Sequence, residues 1–159
     1  MSQEEKIQQV LEEKFPYLRA ALIIKRQRRI FLDVAQESFQ EVFDFARKTA
    51  GFSILCTITG MDEGEKFAVI YHLAREDGIV LNLRLRIGRD FPLIKTISAY
   101  FPAADIYERE LEDLLGIKVE GLAEGPHYPL PDNWPKGEYP LRKDWHNNLA
   151  AGREEAKDA

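Results

Sequence analysis

The sequence predicts an α+β fold: a single domain with a mainly antiparallel sheet, helices packed against it and an extended, proline-rich C-terminal arm. Three observations carry that prediction. Capping-box pairs followed by apolar residues at helical spacing mark early helices, three β-type runs follow one another between Phe52 and Ile87, and prolines and glycines crowd residues 117–145. With 159 residues, 45% of them hydrophobic, the chain is long enough to bury a core without disulfide or metal. The organisation expected is a globular part over residues 1–116, an arm over 117–145 and a flexible tail over 146–159.

Ser2 and Glu5 fit a capping box, and Ile7, Val10 and Leu11 recur at helical spacing until Pro16, so residues 3–14 read as a helix. Ala20–Lys25 and Arg29–Val34 are two β-type runs joined by Arg26-Gln27-Arg28, which predicts a hairpin. Ser38 and Glu41 repeat the capping pattern before Phe39, Val42, Phe43 and Ala46, and Gly51 stands where a helix should stop.

Phe52–Thr59, Lys66–Ala74 and Gly78–Ile87 then read as strands of a meander, with Leu81, Leu83, Leu85 and Ile87 alternating against Asn82, Arg84 and Arg86. After Pro92 the period becomes helical through Leu93–Tyr100. A further helix starts near Asp105, where Asp105 and Glu108 form an Asp-x-x-Glu pair, and ends at Gly116. Residues 117–145 lack a sustained period, yet Leu122, Tyr128, Leu130, Trp134, Tyr139, Leu141 and Trp145 are too apolar for a free linker. An arm laid along a surface fits them better.

Charge and composition exclude several functions. The net charge of −5 argues against a general nucleic-acid binder, and residues 105–124, with seven acids and two bases, hold all of that excess. No apolar run approaches the length of a membrane span, so any membrane link is expected to run through a partner. The lone Cys56 rules out an internal disulfide and points to a reducing compartment, and alternation with Ile54 and Ile58 turns it toward the core. His72, His127 and His146 lack metal-ligand spacing, and neither a P-loop nor Gly-x-Gly-x-x-Gly is present. The arginines at 84, 86 and 89 and the run Lys25-Arg26-Gln27-Arg28-Arg29 read as charges guarding a sheet edge, with a polyanion surface as the alternative.

The helix around Glu108 is the most informative segment. At 100° per residue Tyr107, Leu111, Leu114 and Leu115 form one stripe, flanked by Glu108 and Glu110, with Arg109, Glu112 and Asp113 opposite. Ile106 projects beside Glu110 and Asp113, an apolar residue amid acids, which a second contact surface would explain. A stand-alone enzyme using these carboxylates as acid and base is the rival reading, and it requires a closed pocket.

Tyr107-Glu108-Arg109-Glu110-Leu111-Glu112-Asp113-Leu114-Leu115-Gly116-Ile117, followed at a distance by Tyr139-Pro140-Leu141-Arg142-Lys143-Asp144-Trp145, closely resembles the signature of the thirty-kilodalton (30 kDa) subunit of respiratory complex I. Ile70-Tyr71-His72-Leu73 and Phe101-Pro102-Ala103-Ala104 resemble it as well. Between the two motifs, Leu130-Pro131-Asp132-Asn133-Trp134-Pro135 looks more like the homologous subunits of membrane-bound, energy-converting [NiFe] hydrogenases and formate hydrogenlyases.

The resemblance implies an accessory, cofactor-free subunit of a complex I-like oxidoreductase, either an NADH-quinone oxidoreductase or an energy-converting hydrogenase. Iron–sulfur clusters, a nickel–iron site or quinone are then expected in partner subunits. The partners implied are a 49 kDa-like or hydrogenase large subunit and a neighbouring iron–sulfur subunit, on the cytoplasmic side of the membrane. Carried over by position, Glu108, Arg109, Glu110 and Asp113 match the helix motif and Pro140, Arg142, Lys143 and Asp144 the arm motif. The role implied for them is subunit docking, with Pro140 extending the chain and Arg142 forking onto a carboxylate.

Overall fold

The computed structural model of the chain describes residues 1–147. Helix α1 (Gln3–Lys14) starts as expected: Ser2 Oγ accepts the Glu5 N–H at 3.1 Å and the Glu5 carboxylate accepts the Ser2 N–H at 2.6 Å. A 3-10 turn, Pro16–Leu18, leads into β1 (Leu22–Arg26) and β2 (Arg29–Val34), an antiparallel hairpin. No glycine serves this turn, so Arg28 takes a φ of 60° and the Glu4 carboxylate holds its N–H at 2.6 Å. Helix α2 (Phe39–Lys48) begins differently from expectation. The Ser38 side chain makes no capping bond, because a 3-10 turn over Gln36–Ser38 has already wound the chain and left Ser38 helical.

Strands β3 (Ile54–Asp62), β4 (Lys66–Ala74) and β5 (Val80–Gly88) form the expected antiparallel meander. β2 then pairs in parallel with β5, which gives the order β1-β2-β5-β4-β3. β5 is therefore internal, and the expectation that its arginines guard an edge is corrected. Arg84 forks onto Asp33 with two bonds of 2.7 Å, and Arg86 links Asp33 to Glu63. Acids thus match Arg84 and Arg86, so this strand face offers a polyanion little unpaired positive charge.

One face of the sheet carries Leu32, Val69, Tyr71, Leu73, Leu83 and Leu85, and all three helices contribute to the same core. Phe39 stacks on Phe43 and lies tilted against Tyr71, and Phe15 meets Phe45 edge to face. The opposite face is polar at its centre: His72 Nε2 lies 2.9 Å from Thr59 Oγ1 and its Nδ1 2.7 Å from Asn82 Oδ1, which satisfies the strand histidine within the sheet.

Two expectations fail for physical reasons. The register of β3 slips between Leu55 and Thr57, so Cys56 falls on a bulge and is exposed rather than facing the core. Residues 93–100 form no helix; β6 (Leu93–Lys95) pairs in parallel with β7 (Lys118–Glu120), a strand inside the stretch read as arm. The pairing tethers Leu93–Lys95, and Thr96 and Ile97 are captured by helix α3 (Ala104–Leu115), so a local helical period yields to tertiary contacts. Among the described residues no helix is long and apolar enough to cross a membrane. Of the predicted tail, all beyond residue 147 lies outside the described residues.

Candidate functional site

Helix α3 is the rail on which the C-terminal segment is fixed. Its start differs from the predicted Asp-x-x-Glu cap: Ala103 is the cap position and makes no side-chain bond, while Asp105 pairs with Arg109 at 3.0 Å. Its buried face is Ala104, Glu108, Leu111 and Leu115, with Tyr107 and Leu114 half-exposed, so the helix is rolled from the predicted stripe toward Glu108. Glu108 is fully buried. One carboxylate oxygen accepts the Ile97 N–H at 2.7 Å and the other the Thr96 hydroxyl at 2.5 Å. Burial pushes this carboxyl above the usual range against the pull of those two bonds, and the charges of Asp105 and Glu112 add to the rise. Glu108 therefore faces the interior and serves the fold; it presents nothing to a partner.

The other motif residues of α3 grip the chain beyond β7. Arg109 donates to the Ala123 carbonyl at 2.6 Å, and Gly125 lies so close that an added Cβ would meet the guanidinium at 2.7 Å. Glu112 accepts the Val119 N–H at 3.1 Å. Asp113 contacts His127 Nδ1 at 2.8 Å and accepts the Leu130 N–H at 3.3 Å. Its hydrogen bond and charge hold His127 above the usual imidazole range. Glu110 is half-buried and bonds to nothing among the described residues. Glu108, Glu112 and Asp113 are thus each bonded to the chain's own groups.

The two halves of the sequence signature meet at the end of α3. Gly116 takes a φ of 69° and stops the helix, and a Cβ there would strike the Tyr139 ring and the Arg142 guanidinium at 2.6 Å. The Leu141 N–H bonds the Leu114 carbonyl at 3.0 Å. The expectation that Arg142 forks onto a carboxylate is corrected: its Nε donates to the Leu115 carbonyl at 2.7 Å, and its guanidinium lies over Tyr139 and Phe67. The orphan carbonyls of a helix end attract a cation as an acid would. Pro140 is half-buried beside it.

A residue at the end of β3 anchors the end of the arm. Asp62, its side chain only 2% exposed, accepts from Arg89 at 2.7 Å, from the Lys143 N–H at 2.8 Å and from the Gly64 N–H at 2.8 Å. Burial alone would raise its carboxyl, but these donors outweigh it and bring it down to about 2. Arg89 also reaches Asp144 at 2.6 Å. The Lys143 side chain is exposed, and Asp144 remains 69% exposed. The place of Asp62 at a strand end, two residues from Gly60 and from Gly64, carried the only available signal.

Between these anchors the arm is open. Pro126, Tyr128, Pro129, Pro131 and Pro135 are exposed, and Glu138 ties Trp134 and Trp145 together by accepting both indole N–H groups, at 2.7 and 2.6 Å. Among the described residues no group of three or more His, Cys, Asp or Glu side chains converges as a metal site.

Comparison with known proteins agrees with this geometry. The model of the respiratory-chain NADH dehydrogenase 30 Kd subunit matches residues 32–149. One subunit of the F(420)H(2) dehydrogenase of Methanosarcina mazei is 33% identical over 83% of this chain and 85% of its own length. The membrane-bound hydrogenase subunit beta of Pyrococcus furiosus is 26% identical over 91% of this chain and 87% of its own. Among solved structures, a chain of an archaeal membrane-bound sulfane sulfur reductase superposes with a TM-score of 0.83 at 25% identity, covering 96% of this chain and 91% of that one. A fragment of Nqo5 shares the fold, with a TM-score of 0.66 at 23% identity over 78% of this chain and 100% of the fragment. With a family model spanning most of the chain and the two signature halves packed on one another, the chain belongs to the family of the respiratory-chain NADH dehydrogenase 30 Kd subunit.

Proposed function

We propose that this subunit of a complex I-like, membrane-associated oxidoreductase carries no cofactor of its own. In this reading it docks through its C-terminal arm onto the large subunit, with an iron–sulfur subunit as neighbour, on the cytoplasmic side. The observation that carries the reading is the arm itself. It is stiffened by proline, pinned to α3 by Arg109, Asp113 and the Leu114 and Leu115 carbonyls, and exposed between the pins. A preformed arm loses less entropy on association than a free one. Arg109, Asp113 and Arg142 hold it in place, Glu110, Lys143 and Asp144 keep an outward side, and Pro140 extends the chain.

The relatives support an oxidoreductase setting without fixing the electron acceptor. Quinone reduction and proton reduction both fit, and the partner's sequence separates them: a large subunit with two Cys-x-x-Cys pairs indicates nickel–iron chemistry, and their loss indicates quinone. The direct test is co-expression with that large subunit. Arg142→Ala is expected to leave the lone domain folded and to weaken co-purification at least tenfold. Unchanged co-purification with a demonstrably loosened arm would refute the docking role.

A further inference from the structure

Unpaired sheet edges invite other strands, and proteins blunt them with charge, proline or a bulge. The two edges here are treated differently. β1 ends in Lys25 and Arg26, whereas β3 runs Ile-Leu-Cys-Thr-Ile-Thr-Gly-Met with no charge before Asp62. Its protections sit at the ends. At Cys56 the bulge bends the strand and the carbonyl accepts the Tyr107 hydroxyl at 3.2 Å, and at Asp62 the arm closes over the carboxylate. Between them Thr57–Met61 has a strand on one side only.

Beside this window lies a groove of about 270 Å3 between β3 and α3, walled by Thr57, Thr59, Gly60, Glu110 and Leu114 and bounded by Leu141 from the arm. The groove is partly apolar and open, since Leu114 and Leu141 line it and Leu141 is 55% exposed. Glu110 is, among the described residues, the one acid of α3 without a hydrogen bond or ion pair. One turn before it stands Ile106, 50% exposed and on the same helical ridge.

We propose that the Thr57–Met61 edge is a strand-addition site for an extended segment of a different polypeptide. That segment carries an apolar side chain for the groove and a lysine or arginine for Glu110. Main-chain bonds to the edge supply affinity, and alternate side chains reaching the groove supply specificity. Charge selects the occupant. Glu110 is the one acid lining the groove and it has no partner among the described residues, so a basic segment is attracted, whereas a second copy would bring its own Glu110 against the first. The inference deepens the docking reading and rests on the chain working beside other polypeptides, but it concerns the sheet edge and a groove the arm only borders through Leu141, not the arm's exposed stretch.

The probe is the synthetic peptide Lys-Thr-Val-Thr-Lys-Thr-Val-Thr, compared with the same peptide bearing Glu for Lys, added to the full-length chain. The basic peptide is expected to slow amide exchange at Thr57–Met61 at least tenfold and to bind about tenfold tighter than the acidic one, with Glu110→Lys reversing that preference. Equal binding of the two peptides, or protection confined to β1, would overturn the proposal. So would concentration-dependent dimerisation that protects the same amides with no peptide present, since the occupant would then be a second copy. Peptide binding is read on the isolated chain and co-purification with the large subunit separately. A chain that co-purifies but shows no protection at β3 removes the edge site alone, and protection at β3 in a chain that does not co-purify removes the docking reading alone.

Discussion

Replacing Glu108 by alanine deletes the acceptor for the Ile97 N–H, a group in the interior where Ile97 itself is 1% exposed. An orphaned buried donor costs about 1–3 kcal/mol, and the void left by the side chain adds to it. Removing a buried carboxylate returns part of that, so a net loss of about 3 kcal/mol is expected, or roughly 6–12 °C in Tm for a chain of this size. Glu108→Gln retains the acceptor and should stay within about 1 kcal/mol of the parent. Thermal unfolding by circular dichroism reads both.

The pH dependence carries a sign. Because burial raises the folded carboxyl, the stability tied to its protonated form is complete below the ordinary glutamate value of about 4.3 and is lost as pH rises through the folded value. The glutamine variant should therefore gain on the parent as pH rises above about 4.3 and through the raised folded value. An alanine variant that melts with the parent yet fails to co-purify with the large subunit would refute the structural role and restore Glu108 to docking.

Three further outcomes follow from the anchors. His127 should titrate above the ordinary imidazole value, with the Asp113 contact complete below about pH 6.5 and lost as pH rises through the raised value; Asp113→Asn should return the NMR titration to the ordinary value. Asp62→Asn should cost about 2–3 kcal/mol in denaturant unfolding and release the Lys143 amide to exchange. In the parent chain the Asp62 contribution is full above about pH 4 and fails as pH drops toward about 2. Gly116→Ala forces a side chain into the left-handed region and against Tyr139 and Arg142, so a loss of about 1–3 kcal/mol with loosening of residues 139–142 is expected in hydrogen exchange.

Local signals were legible and long-range ones were not. The Ser2 capping box, the β1–β2 hairpin and the Lys66–Ala74 strand appear as read, since each depends on neighbours in sequence. The Cys56 bulge, the parallel β2–β5 closure and the β6–β7 pair depend on partners many residues away, and no local period encodes them. The signature on α3 was visible as residues, but its geometry was not. Glu108 points inward because Thr96 and Ile97 offer donors beneath it, and Arg142 meets a carbonyl because the helix ends at Gly116. Asp62 escaped notice because its partners, Arg89 and Lys143, come from distant segments.

Hydrogen exchange of residues 121–147 in the isolated chain and in the assembled complex tests the docking arm most directly. The exposed amides between Pro126 and Pro135 should gain protection on assembly, while the amides of Leu130, Leu141 and Lys143, bonded to the chain's own acceptors, are already slow. Equal protection throughout the arm in both states would contradict the account.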